Sequence, residues 1–372
     1  MRVLVVNAGS SSVKLRVLDP GGPVVHREDL PADAGRTPPG ALPAALERAA
    51  AHGVDAVGHR VVHGGPDFTG PAVLDADVVT RIRRLATLAP LHQPPAVAGM
   101  RASARVLPGV PAVACFDTAF HATVPDAAST YAVPAAWRDE HGVRRYGFHG
   151  LAHDGAARRA ATLLGRPVEG LRVVVAHLGS GASACAVVSG RSVDTTMGFT
   201  PVAGLVMATR SGDVDPAAIT WLVAHAGLEP AAVDHALGHA SGLLALCGHA
   251  DMRAVLDAAG GGDPAAARAV DVWVHRARAQ LAAMTAASGG LDALVFSGGV
   301  GENAPALRRR LVDGLGFLGL ALDPDADAAA VGAEGDVSAP GAPARTVVVH
   351  AREDLVIAGQ VAATLGAGSG QQ

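Results

Sequence analysis

The chain has 372 residues, with 30 basic side chains against 34 acidic ones and a formal net charge of −4. That length exceeds one ordinary hydrophobic core and suits two domains. The slightly acidic balance argues against nucleic acid or an anionic membrane surface as the main partner, since both require concentrated positive charge. In chain order, Val3–Val6 forms an apolar strand, followed by a turn of small residues (Ala8 to Ser12) and a second strand, Val13–Leu18. Residues 20–45, rich in Pro, Gly and Asp, read as an edge excursion or loop. Val57–Val62 and Ala112–Phe116 are further short strands. Val173–Ala176 begins another, which turns at His177-Leu178-Gly179-Ser180-Gly181 into a strand ending at Val188.

That second hairpin echoes the first. At an offset of 170, Val3 to Ser10 and Val173 to Ser180 share the pattern of apolar strand, one polar side chain and Gly-Ser turn. Chance in a Gly- and Val-rich chain is one explanation; a duplicated domain is the other. Asp215-Pro216 and Asp263-Pro264 each place an N-cap before a first-turn proline. After Asp263, Val270, Val274, Ala277, Leu281 and Met284 recur on one helical face. Gly289-Gly290 ends that helix, and Ala293–Phe296 is a buried strand leading into a glycine-rich turn. Alternating strands and helices around two matching hairpins specify an α/β protein of two related domains with a cleft between them. Cys115, Cys185 and Cys247 are scattered and form no CxxC pair, as expected of buried thiols in a reducing compartment. With no apolar run long enough to span a bilayer and no secretory signal at Met1-Arg2, the expectation is a cytoplasmic protein without membrane partners.

Three glycine-rich turns follow apolar strands: Asn7–Ser12, His177–Ser183 and Gly298–Asn303. Each alone is an ordinary hairpin turn. Three in one chain point to a nucleotide, because Gly and Ser let backbone N–H groups and hydroxyls approach phosphate oxygens. Arg60 ends a strand between His59 and a His63-Gly64-Gly65 turn, and Arg210 precedes the Asp215 helix start. Their planar forks suit carboxylate or phosphate, although most arginines here belong to the solvated surface. Asp117 follows a buried strand and Glu353 follows Val347–Val349. Asp117 reads equally as a turn cap or as an oxygen ligand for Mg2+, whereas Arg352-Glu353-Asp354 reads first as an ordinary charged helix start, with Glu353 as the partner ligand the second reading. His92, His149 and His177 stand apart among 16 histidines because each lies in a turn beside Gly or Pro.

Ten segments, taken in order, resemble the acetate kinases: Val5–Lys14, Gly58–Gly65, Leu88–His92, Phe116–His121, Tyr146–Gly150, His177–Ser183, Met197–Pro201, Thr209–Pro216, Asp251–Arg253 and Gly299–Asn303. The resemblance implies two duplicated ribonuclease H-like domains of the actin and Hsp70 type with an interdomain nucleotide cleft. Their expected extents are residues 1–148 plus 356–372, and 149–355. It implies reversible transfer of a phosphoryl group from ATP to acetate, giving ADP and acetyl phosphate, with Mg2+ or Mn2+ held by Asn7 and Glu353. Arg60, Asp117, His149 and Arg210 would be catalytic, and Arg60 would also bind substrate. Val62, Leu91, His92, Phe148 and Pro201 would complete the substrate site. Lys14, His177, Leu178, Gly179, Ser180, Gly181, Asp251, Met252, Arg253, Gly299, Val300, Gly301, Glu302 and Asn303 would line the nucleotide. A homodimer is the family habit.

The chain departs from the family pattern at Gln93, Ser180, Leu151-Ala152 and Arg352, and in a shorter stretch before Gly58. Ser180 puts one phosphate contact in doubt, and the two hydroxyls missing at 151 and 152 could loosen the shell around His149. Propionate or butyrate as acceptor stays open, because one methylene in an apolar pocket is worth only about 1 to 3 kcal/mol. A nucleotide-binding regulator on the same fold is the remoter alternative. It would have no need of Arg60, Arg210 and an apolar acid pocket.

Overall fold

A computed structural model describes residues 1–9, 12–33, 35–90 and 92–368. They form two compact units. The first comprises Met1–Ala122, Phe148–Gly155 and the chain from Arg352; the second comprises Thr123–Gly147 and Ala156–Ala351.

In the first unit, β1 (Val3–Ala8) pairs antiparallel with β2 (Ser12–Leu18), and β2 with β3 (Val24–Pro31). On its other side β1 runs parallel to β4 (Ala56–Val61), and β4 to β6 (Ala112–Phe116). The short β5 (Ala72–Val73) closes the edge antiparallel to β6, giving the order β3-β2-β1-β4-β6-β5. The inner strands are continuous apolar runs because both sheet faces are covered. Leu4, Val6, Val57 and Ala102 meet on one face. On the other, Val3, Val5, Val113 and Cys115 pack against Ile357 and Val361 of the helix Glu353–Gly368.

The second unit repeats this plan. β7 (Arg172–Leu178) pairs antiparallel with β8 (Ala182–Val188), and β8 with β9 (Arg191–Thr195). β10 (Ala293–Ser297) lies parallel to β7, and β12 (Arg345–Val348) to β10, with β11 (Gly335–Asp336) antiparallel at the edge. Its order, β11-β12-β10-β7-β8-β9, is the first order with corresponding strands in corresponding places. The echo between Val3 and Val173 is therefore one face of a duplication that extends through both sheets.

Asp215 and Asp263 cap their helices as expected, accepting from the N–H groups of Ala217 and of Ala265 and Ala266. Val270, Val274, Ala277, Leu281 and Met284 are all buried along the helix Pro264–Ala287. Residues 20–45 are more ordered than a loop: they hold β3 and the start of the helix Ala41–Ala50. That edge strand alternates half-buried with exposed residues and carries His26, Arg27, Glu28 and Asp29, so it lacks an apolar run. Cys115 and Cys185 are buried free thiols, whereas Cys247 is only partly covered. Among the described residues no helix is long and apolar enough to cross a membrane.

Arg308 is 1% exposed and its ion-pair partner Asp327 is fully buried, at 2.6 Å. The same guanidinium donates to the carbonyls of Gly301 (2.8 Å), Glu302 (2.9 Å) and Asp327 (2.7 Å). One cation thus ties the glycine-rich helix Gly298–Asn303 to the helix Pro324–Ala329. Removing one partner of such a pair leaves an uncompensated buried charge. Asp327→Ala should therefore cost about 3 to 5 kcal/mol of unfolding free energy in urea, more than the double change Arg308→Met/Asp327→Ala.

His59 on β4 is 2% exposed, with Nε2 2.9 Å from Ser103 Oγ, and burial holds its imidazole down to about 4 from the ordinary 6.5. Between those values the unfolded chain binds a proton that the native state refuses. The contribution is complete above 6.5 and is lost as pH falls toward 4. It amounts to about 3 kcal/mol for this one group. Burial lowers His63 to about 4 as well, steepening the slope. Urea unfolding followed from about pH 7.5 down to about pH 5 should show this loss, and His59→Gln should flatten it by one proton's worth.

Candidate active site

The sheet register of the first unit assembles a charged cluster at one edge. Val6 faces His59 across β1 and β4, so the next residues, Asn7 and Arg60, leave their strands side by side. Arg60 in turn faces Cys115, two residues before Asp117. Arg60 grips the fully buried Asp117 with both forks: Nη2 donates to Oδ2 at 2.7 Å and Nε to Oδ1 at 3.1 Å. Its Nη1 donates to Asn7 Oδ1 at 3.2 Å and lies 3.6 Å from Glu353 Oε2. Asn7 Nδ2 donates to that same Glu353 oxygen at 2.7 Å, closing the network.

Burial pushes the Asp117 carboxyl up to about 6, against the pull of Arg60 and with a further push from Glu353. Burial alone would lower Arg60, but the charges of Asp117 and Glu353 more than offset it and hold the guanidinium protonated. Asn7, Asp117 and Glu353 offer hard oxygen donors, the kind Mg2+ takes one or two at a time alongside phosphate and water. Their chemistry fits that ion. No cage of three or more His, Cys, Asp or Glu exists among the described residues.

Beside this cluster, Phe148 is 1% exposed and its ring meets that of His63 edge-on at 5.4 Å. The carbonyl of His63 accepts from Gln93 Nε2 at 2.9 Å, and the N–H of Gly64 donates to Thr118 Oγ1 at 2.8 Å. The turns after β4 and β6 are therefore laced together, with Val62 buried between Val61 and His63. Gln93, one of the departures, thus has a structural task. His92 stands at the N-cap position of the helix Gln93–Val106, whereas Leu91 lies outside the described residues, as do Ser10 and Ser11 of the first turn. His149 is partly exposed and takes the left-handed conformation, with φ at +57°. Leu151 and Ala152 do not leave a gap: both are buried, Leu151 packing with Val5, Cys115 and Ile357. Arg352 turns to Asp354, donating to both its oxygens at 2.8 and 2.9 Å. Lys14 is exposed on β2, opposite Asn7 on one side and Asp29 on the other.

The second unit holds its own group. His177 and Leu178 end β7, the Gly179 N–H donates to the Gly181 carbonyl, and Ser180 is exposed at the tip. Gly298 opens the helix Gly298–Asn303 at φ +79°, where a Cβ would stand 2.7 Å from the Leu178 carbonyl. Only glycine lets this turn lie on the end of β7. Gly299 and Val300 follow within the helix. Glu302 is spent on scaffolding: its Oε1 accepts from Gly298 and Ala351, both at 2.9 Å, and its Oε2 lies 2.8 Å from His350 Nδ1. Asn303 Nδ2 donates to the Gly299 carbonyl. Asp251 caps the helix Met252–Gly260, with Met252 buried, while Arg253 is 89% exposed in its ion pair with Asp251. Arg210 donates to the Pro201 carbonyl at 3.1 Å and reaches Met207 Sδ at 3.6 Å. It is half-buried and has no acidic partner among the described residues, and desolvation lowers its pKa.

Within the first unit, then, Asn7, Arg60, Asp117 and Glu353 come together. Within the second, the two glycine-rich turns do, and so do Pro201 and Arg210. Sequence reasoning named Gly298, His63 and Gln93 without their structural tasks, and it missed Arg308, which bonds to the backbone of the Gly298–Asn303 turn. Arg308 sits in a run of three arginines that looks like a solvated face.

The sequence model of the acetokinase family matches residues 43–359. The acetate kinase of Leifsonia xyli is 46% identical, spanning 98% of this chain and 99% of that protein, and the acetate kinase of Deinococcus deserti is 45% identical over the full length of both. The crystal structure of Porphyromonas gingivalis acetate kinase matches with a TM-score of 0.88 at 34% identity, covering 98% of this chain and 99% of that one. A propionate kinase from Francisella tularensis matches equally, with a TM-score of 0.88 and 34% identity, over 96% and 98%. With the family model covering most of its length and relatives this similar from end to end, the chain belongs to the acetokinase family.

Proposed function

We propose that the protein transfers the terminal phosphoryl group of ATP to acetate, reversibly, giving acetyl phosphate and ADP. The observation that carries this reading is Arg210: a half-buried guanidinium that meets only the Pro201 carbonyl and Met207 Sδ, with no acidic partner among the described residues, is poised for an anion. A carboxylate or a transferring phosphoryl group is the anion a planar fork accepts best. The names of the relatives supply the acceptor, acetate.

Acetate is ionised at neutral pH, so the nucleophile needs no general base, and catalysis reduces to positioning and charge neutralisation. Arg60 and Arg210 would hold the carboxylate and the phosphoryl oxygens, and His149 would donate to those oxygens as charge develops. With both its oxygens on Arg60, Asp117 acts by orienting that guanidinium. Asn7 and Glu353 would hold Mg2+, which when bound neutralises charge on the phosphates. Lys14 and the turns at His177–Gly181 and Gly299–Asn303 would contact the nucleotide, with Asp251–Arg253 nearer its base. Val62, Leu91, Phe148 and Pro201 would surround the acetate methyl, and His92 would complete the substrate site. We place the protein in the cytoplasm and expect a homodimer.

The equal likeness to a propionate kinase keeps a longer acid in play. A hydroxamate trap for acyl phosphate, run with acetate and with propionate, tests the reaction and ranks the acceptors by kcat/KM. Absence of acyl phosphate with both acids would overturn the reading. Arg210→Ala should lower kcat about a thousandfold. Because it removes a partly desolvated cation with no acidic partner among the described residues, its unfolding free energy should stay level or rise. The lone lysine offers a finer test. Arginine serves every other basic position, so at residue 14 a compact ammonium is the property retained. Lys14→Arg should raise the Kd for ATP at least about threefold with the fold intact by circular dichroism.

A further inference from the structure

The backbone between Phe148 and Gly150 is held in a conformation that it would not adopt alone. His149 carries a φ of +57°, in the small left-handed region that residues with a Cβ seldom occupy. Such strain persists only where surrounding structure over-determines it. Two features of the 3₁₀ turn Asp117–Thr123 provide that determination. His121, 3% exposed, lies with Nε2 3.0 Å from the Phe148 carbonyl. A carbonyl only accepts, so this nitrogen carries the proton and donates. One residue past His149, Gly150 lies against the other end of the same turn: a Cβ there would collide with the Asp117 carbonyl oxygen and stand 2.7 Å from Phe120 Cβ. The segment bearing His149 is thus bonded at Phe148 and packed at Gly150, both times to the turn that begins with Asp117.

We propose that His121 is a positioning residue for phosphoryl transfer, holding the left-handed His149 turn through the Phe148 carbonyl so that His149 and Asp117 keep one fixed relation. This rests on the assignment of Asp117 and His149 to the transfer step. The Asp117 carboxylate is fixed separately by Arg60, and Gly150 fixes the spacing between the two backbones. His121 bears on the remaining twist of residues 148–149 from the Phe148 side, while the His153 N–H holds the His149 carbonyl at 2.9 Å from the helix that follows. Misplacement of a reacting group by about 1 Å can cost on the order of a hundredfold in rate.

Three variants test it. His121→Leu fills the space without a donor, His121→Gln offers an amide N–H near the position of Nε2, and His121→Asn offers one that falls short. His121→Leu should lower kcat at least about tenfold, with KM for ATP within about twofold, and His121→Gln should stay within about threefold of the parent. Hydrogen exchange, read by mass spectrometry on the peptide covering 148–153, should quicken at least about tenfold in His121→Leu and not in His121→Gln. If His121→Leu does not fold, His121→Asn takes its place under the same criteria. The proposal is overturned if the donorless variant keeps both kcat and the slow exchange. It is equally overturned if His121→Gln loses as much as His121→Leu, since packing alone would then explain the loss. Should the parent form no acyl phosphate, the functional reading fails separately, and the exchange comparison still decides whether His121 holds the turn.

Discussion

A guanidinium at the end of a buried strand has to be neutralised where it stands, and in this protein Asp117 does so for Arg60 with both oxygens. Much of the first unit can be read as what that ion pair requires. A buried pair is stable only when its remaining donors and acceptors are also satisfied. Arg60 has donors left over, and Asn7 and Glu353 take them. Asn7 reaches it because β1 and β4 are parallel and in register; Glu353 reaches it because the last helix starts at the sheet edge rather than beyond it. The same pair leaves no slack in the backbone after β6, and the segment 148–150 is built against that backbone. Gly150 is the consequence: a side chain there would have to move Asp117.

The duplicated sheets divide the work along chemical lines. At the ends of β1, β4 and β6 the first unit places Asn7, Arg60 and Asp117, side chains that hold charge. At the corresponding ends of β7 and β10 the second unit places His177 and Ser297, followed by turns of glycine. A sheet edge rich in side chains can grip a carboxylate or a metal ion. An edge of bare backbone can approach a polyphosphate closely, because N–H groups without Cβ atoms around them form an anion-binding concavity. The glycine edge still needs rigidity, and it obtains it from Glu302 and Arg308, which bond to the backbone from behind. One topology therefore yields two kinds of ligand surface, differing in which residues end the same strands.

The legible part of the sequence was whatever a short window contains. Strands buried on both faces appear as apolar runs, and Asp-Pro caps announce their helices, so β1, β4, β6, β7 and β10 could be located from composition along the chain. β3 was hidden because an edge strand needs few apolar residues, and the helix Ala41–Ala50 because Pro43 sits in its first turn. In the candidate site, residues at strand ends were legible: Arg60 and Asp117 stand where an α/β sheet presents ligand contacts. Residues whose role depends on a partner distant in sequence were not. Arg308 is one of three adjacent arginines and only the fold selects it for burial, while His121 acquires meaning from a carbonyl 27 residues away.

The departures from the family pattern test how far the charge network constrains the rest. Leu151 replaces a hydroxyl with an apolar group, yet it enters the core formed by Val5, Cys115 and Ile357, where burial of a leucine contributes about 2 kcal/mol. Gln93 keeps an amide and uses it on the carbonyls of His63 and Ile82. Arg352 donates to both oxygens of Asp354, while its neighbour Glu353 joins the network through Asn7. Ser180 is exposed at a turn whose geometry comes from the backbone bond between Gly179 and Gly181. Each change falls at a position where the local requirement is packing, a single donor or a turn, and such requirements have several solutions. The bidentate closure of Arg60 on Asp117 has few. A lysine in place of Arg60 could not span both oxygens while also serving Asn7, and an asparagine in place of Asp117 would leave the guanidinium charge buried without its counter-charge. The departures of this chain therefore fall around the network, where the local requirement has several solutions, and not on the Arg60–Asp117 pair itself.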